Sequence, residues 1–279
     1  MDVSNVVLVV SGLFLAGLIK GITGIGYSTC ALPFLVASVG LKAAMALVIV
    51  PAIASNGAMI FGAAGLAIVA RRFWRFYAGI IPGIALGAYA LTFVDLGSAT
   101  QLLGWITLVY VGLATVRPNI TLPTELERML ALPAGFLNGL LTGLTGSQIL
   151  PLMPYMMALR LPADQQVQAV NLAVTLASLV MAASLLGTGI MTAELLAISV
   201  AGAIPALIGV AAGSHLRRYL SPGMFRQVTL CMLGVIGAAL ASYRPPDPAP
   251  ASASHIAPNR MSVWTPDAAT TAPKPPTSD

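Results

Sequence analysis

The sequence predicts an all-α polytopic membrane protein made of two inverted structural repeats. Each repeat begins with a Gly-broken helix pair and continues into three transmembrane helices. Three observations predict it. The 279 residues are 57% hydrophobic and 8% charged, with a mean hydropathy of +0.89, where a soluble globular protein carries about 25% charged residues. A glycine-rich stretch closing on proline occurs twice, as GLIKGITGIGYSTCALP over 17–33 and GFLNGLLTGLTGSQILP over 135–151. The basic residues gather at the ends of apolar runs, on loops that alternate with loops almost free of them.

The first element of each repeat is the broken pair. Gly17, Gly21 and Pro33 recur at one common offset as Gly135, Gly139 and Pro151. Glycine costs a helix about 1 kcal/mol relative to alanine, and proline removes a backbone donor. Each copy therefore reads as two helices meeting at a glycine break: half-helices, a re-entrant hairpin or two tight spans. Residues 129–159 carry no charge. As one helix they would reach about 46 Å, against a hydrocarbon core of about 30 Å, so at least one piece is short. Broken backbone at membrane depth persists only where protein buries it or water reaches it. Paired interruptions in two halves point to a transporter binding site.

Three apolar segments follow each pair, at roughly 43–69, 76–94 and 97–116, then 166–190, 195–214 and 224–243. Pro82 and Pro205 mark equivalent helices in the two sets.

Charge sets the orientation. Arg71, Arg72, Arg75, Arg117, Arg128, Arg160, Arg217, Arg218 and Arg226 mark cytoplasmic loops. Asp95 and Glu194 mark the outer side, with Lys42 the exception. The loop before the fourth segment is then inside in the first half and outside in the second. Inversion requires an odd number of crossings per half, either five-plus-five or three-plus-three, and places both termini in the periplasm. Trp74 and Tyr77 read as an interfacial aromatic belt. The domain plan is a first repeat over 1–117, a solvated cytoplasmic linker over 118–128 and a second repeat over 129–243. The Pro-, Ala-, Ser- and Thr-rich tail over 244–279 reads as disordered. No cleavable signal peptide is expected, because Met1-Asp2 lacks a basic n-region.

Candidate substrate-binding residues cluster at the breaks. Lys20 sits inside an apolar segment, where a lysine costs ~3 kcal/mol on insertion scales and is a functional candidate by default. Asn138 stands at the equivalent place in the second copy. A helix starting after either break presents free N–H groups and a positive dipole end to an anion. Gly24, Gly26, Tyr27 and Ser28 belong to the first such cradle, and Gly143, Gly146, Ser147 and Gln148 to the second. Asn56 and Asn171 are lone amides in apolar helices, suited to line a path or to bond between helices. No carboxylate stands at a helix centre to carry protons. No nucleophile–base pair, phosphate loop or metal cluster is visible, and Cys30 and Cys231 each stand alone. No cofactor is expected, with coupling through protons or the membrane potential. The partners are a small anion and the bilayer, not nucleic acid.

At these motifs the sequence resembles the TauE/SafE family of sulfite exporters and related anion permeases. The likeness is carried by GLIKGITGIGYSTCALPFLVASVGLKAAMA and GFLNGLLTGLTGSQILPLMPYMMALRLPADQQVQAVNL, and extends over roughly residues 5–243. Tyr27 and Ser28 stand where that family has consecutive glycines, and Ser147 and Gln148 follow Gly146. The resemblance implies export of sulfite, an organosulfonate such as sulfoacetate, or a related carboxylate across a bacterial inner membrane. The alternatives are an uptake permease or channel for another solute, or a non-transport membrane scaffold or enzyme.

Overall fold

The structure is a computed structural model that describes residues 3–24, 26–60, 66–116, 121–217, 219 and 222–243. Every regular element among them is helical. The tail over 244–279 lies outside the described residues, as does the start of the linker.

The first half comprises α1 (Val3–Thr23), α2 (Tyr27–Val39), α3 (Leu41–Ile60), α4 (Leu66–Arg72), α5 (Trp74–Ala90) and α6 (Leu96–Val116). The second comprises α7 (Thr124–Thr145), α8 (Leu152–Ala158), α9 (Ala163–Gly187), α10 (Ala193–Leu216) and α11 (Pro222–Ala241). Among the described residues, four helices are long and apolar enough to cross a membrane, over Val6–Thr23, Leu96–Val116, Asp164–Gly187 and Ala193–Leu216. Large apolar side chains such as Trp105, Ile204 and Val235 cover the outside, while Lys20, Asn56 and Asn138 are buried. This is the inverse of a water-soluble surface.

The breaks fall where the chain turns left-handed. Gly24 and Gly26 hold φ of 83° and 92°, and Gly146 holds 77°, a region that a Cβ disfavours. Gly17, Gly21, Gly135 and Gly139 do not break anything. They lie inside α1 and α7 and let helices touch. A Cβ on Gly17 would collide with the carbonyl of Ala206, and one on Gly213 with that of Leu18. Likewise Gly135 meets the carbonyl of Phe76, and Gly83 that of Phe136. At four-residue spacing they form one stripe on a continuous helix, the small-residue seam of membrane helix pairs.

These seams run between the halves. α1 packs on α10, and α7 packs on α5. Both pairs are parallel, since contacts advance together from Gly17 against Ala206 to Gly21 against Val210, and from Gly79 against Leu132 to Gly87 against Leu140. α6 and α11 pack antiparallel, with Gly104 beside Ala241 and Gly234 beside Val111. The two halves are thus intertwined, and residues 1–244 cluster as one compact unit.

Two local readings change. Thr124–Arg128 belong to the first turn of α7 rather than to a linker. Glu127 there is buried and accepts from Arg72 Nε and Nη2, both at 2.9 Å, tying α4 to α7. Of the aromatic pair expected at the interface, Trp74 is exposed, but Tyr77 is buried and donates to the Ala169 carbonyl on α9 at 3.2 Å.

Candidate functional site

The first break hands the chain from α1 to α2, with Gly26 as the cap of α2. The second ends α7 at Gly146, whose N–H bonds the Thr142 carbonyl at 2.7 Å, and leads through 147–151 into α8. Both breaks are fastened to α9. Asn171 Nδ2 donates to the Val167 carbonyl at 2.8 Å and reaches the Gly24 carbonyl at 3.4 Å. Gln148 Nε2 donates to Ser178 Oγ at 3.2 Å. Asn171 and Ser178 lie two turns apart, so the breaks are offset by about 10 Å along α9.

A cavity of about 680 Å³ lies between them. The starts of α2 and α8, the middle of α9, and α6 and α11 form its walls. Six of the residues expected at the site line it: Gly26, Tyr27, Ser28, Asn56, Gln148 and Asn171. Arg160 and Arg217 line it too, and among the described residues no Asp or Glu does. Arg160 takes a φ of 45°, uncommon for a residue with a Cβ, where the chain turns from α8 into α9.

Four of the buried lining side chains hold a polar atom with no hydrogen-bond partner among the described residues: Tyr27 Oη, Ser28 Oγ, Asn56 Nδ2 and Gln148 Oε1. Their exposures are 2%, 4%, 2% and 8%. Buried polar groups in folded proteins are almost always paired, so these four atoms set the lining residues of this cavity apart. The first turn of α2 adds free backbone N–H groups beside Tyr27 and Ser28.

The remaining expected residues form a layer behind the cavity wall. Lys20 is 1% exposed and donates through Nζ to Ser55 Oγ at 3.2 Å and to Asn56 Oδ1. Its charge fixes the Asn56 amide so that Nδ2 is the free end. Asn138 Nδ2 donates to the carbonyls of Gln148 at 3.2 Å and Leu150 at 3.0 Å, pinning the segment that carries Gln148. Thr142 Oγ1 lies 3.1 Å from the Ser147 carbonyl, and Ser147 N–H donates to Thr145 Oγ1 at 3.2 Å. Gly24 contributes its carbonyl to Asn171, and Gly143 packs against Ile84 and Ala88 of α5.

Sequence reasoning passed over Ser55, Ser178, Arg160 and Arg217. Ser178 stands seven residues after Asn171, on the same helical face. The two arginines read only as orientation signals, although each immediately borders a membrane segment.

The family model described as sulfite exporter TauE/SafE matches residues 9–240. No curated protein and no solved structure matches the chain.

Proposed function

The chain belongs to the TauE/SafE family of sulfite exporters, and from that premise we propose that it exports a small anion by alternating access through the cavity between the breaks. One observation carries the reading: a cavity of about 680 Å³ lined by Arg160, Arg217 and residues that hold unpartnered donors, with no Asp or Glu among the described residues of its wall. Tyr27, Ser28, Asn56 and the first N–H groups of α2 bind the anion. Arg160 and Arg217 draw it in from the cytoplasm, since both border loops that the positive-inside rule places there.

The two halves are read as inverted repeats. Parallel pairing of α1 with α10 and of α7 with α5, together with the antiparallel pair α6 and α11, supports that reading. Each glycine seam joins one half to the other, so rocking of one half shifts both breaks together. Outward movement of an anion from a negative-inside cell is favoured by about 2.3 kcal/mol per charge per 100 mV. A scaffold without transport would have no use for unpaired donors around a cavity.

The test is flux from proteoliposomes loaded separately with sulfite, sulfoacetate and a small carboxylate. Saturable efflux of at least one anion is expected. In Asn56→Asp a donor becomes an acceptor. Like-charge juxtaposition costs several kcal/mol, so flux should fall about a hundredfold with thermal unfolding little changed. Flux unaltered by Asn56→Asp would remove the anion from this cavity.

A further inference from the structure

We propose that Ser199 is a positioning residue for transport: its hydroxyl takes the carbonyl that Pro51 leaves without a helical partner, and so holds the last turns of α3, which present Asn56 to the cavity. The inference rests on the transport reading above and concerns how its site is kept in place.

Pro51 lies inside α3. A proline has no N–H to give the carbonyl four residues before it, and its ring presses on that same carbonyl. In α3 that carbonyl belongs to Leu47, which is 1% exposed. An unpaired backbone group in an apolar interior is destabilising. Helices at membrane depth keep a proline where a side chain from a neighbouring helix satisfies the freed group. Ser199 of α10 is that side chain. Its Oγ donates to the Leu47 carbonyl at 3.0 Å and accepts from the Val50 N–H at 3.3 Å, and Ser199 itself is 0% exposed. A carbonyl only accepts and a backbone N–H only donates, so the direction of each bond is settled. One turn further on, the same face of α10 carries Gly202, where a Cβ would stand 3.8 Å from Pro51 Cγ. α10 therefore receives both the carbonyl and the ring.

Ser55 and Asn56 follow Pro51 by about one turn. Lys20 donates to both, and Asn56 lines the cavity. Helices bend at prolines, so the direction of this last part of α3 depends on what holds the chain at Leu47. The second half supplies a comparison. Tyr77 of α5 donates to the Ala169 carbonyl of α9 at 3.2 Å, and one common offset relates Tyr77 to Ser199 and Leu47 to Ala169. At that offset α9 has Ala173 where α3 has Pro51. Ala173 has an N–H to give the Ala169 carbonyl, so the Tyr77 bond is an addition. Of the two helices, α3 is the one that needs its bond.

Efflux of sulfite, sulfoacetate and acetate is measured from proteoliposomes of the full chain. KM, kcat and the thermal unfolding midpoint in detergent are taken for each variant. Ser199→Ala should raise KM about tenfold, with a smaller change in kcat. Pro51→Ala returns an N–H to the Leu47 carbonyl, so in that background Ser199→Ala should leave KM where Pro51→Ala puts it. In an Asn56→Ala background Ser199→Ala should likewise add nothing, since the residue it positions is gone. Tyr77→Phe should leave KM little changed. A merely structural serine would lower the unfolding midpoint with KM unmoved, and that result overturns the proposal. So does a rise in KM that persists undiminished in either background, or one from Tyr77→Phe as large as that from Ser199→Ala. Each of these leaves anion transport standing, whereas absence of wild-type flux for all three anions defeats both readings.

Discussion

Lys20 carries its charge to two neutral acceptors, Ser55 Oγ and Asn56 Oδ1, at 1% exposure. Its apolar surroundings marked it as a residue with a task. The task itself depends on Asn56, a partner 36 residues away on another helix, and no local pattern announces that contact. In the proposed transport reading Lys20 is a positioning residue: it orients the Asn56 amide that would meet the anion. A hydrogen bond from a charged group contributes about 1.5–3 kcal/mol. Lys20→Met should therefore raise KM for the transported anion about tenfold or more, with a smaller change in kcat. Lys20→Gln keeps an N–H donor and should recover much of the loss. A lysine that held the anion by charge would fail in both variants, and equal loss in Met and Gln would overturn the positioning role.

At the scale of elements, the glycines divide into two groups with different work. Gly24, Gly26 and Gly146 are needed for their left-handed backbone, and the breaks sit there. Gly17, Gly21, Gly135, Gly139, Gly209 and Gly213 are needed for contact between backbones. The sequence shows the distinction in spacing, since the seam glycines repeat every fourth residue and Gly24 and Gly26 depart from that stripe. Replacing Gly139 by leucine would drive a side chain into the Ile80 carbonyl. Overpacking costs about 1–3 kcal/mol even against movable side chains, and more against backbone. Gly139→Leu should lower the thermal unfolding midpoint in detergent markedly. Gly112, on α6, has open space around its Cβ position, so Gly112→Ala should hold or slightly raise the midpoint. Equal midpoints for the two variants would mean that the α5–α7 seam does not hold the fold together.

Over the whole molecule, the membrane class was legible in the sequence because bilayer length and apolar composition dictate it, whereas the segment read over 43–69 covers two helices, α3 and α4, so the first half holds six rather than five. The cavity was half legible: the break residues identify it, but Arg160 and Arg217 enter it only through the folded path of α8, α9 and α10. What the helix pairing adds is direction. α10 is parallel to α1, and α5 is parallel to α7. If Asp95 and Glu194 mark the outer side, then α1 must start outside and α7 inside, and the halves are inverted. Single-cysteine labelling in whole cells decides this, in a background with Cys30 and Cys231 replaced. Ser98→Cys and Ala193→Cys should react with a membrane-impermeant thiol reagent from outside. Glu125→Cys and Asp164→Cys should react only after permeabilisation. Ala193 is the discriminating position, because it begins α10, the helix equivalent to α5, which itself begins beside Arg71 and Arg72. Two repeats of the same orientation would place Ala193 with those arginines in the cytoplasm, protected from the reagent. Labelling of Ala193→Cys alongside Ser98→Cys requires the second half to be turned over, and with it the two breaks approach the cavity from opposite faces.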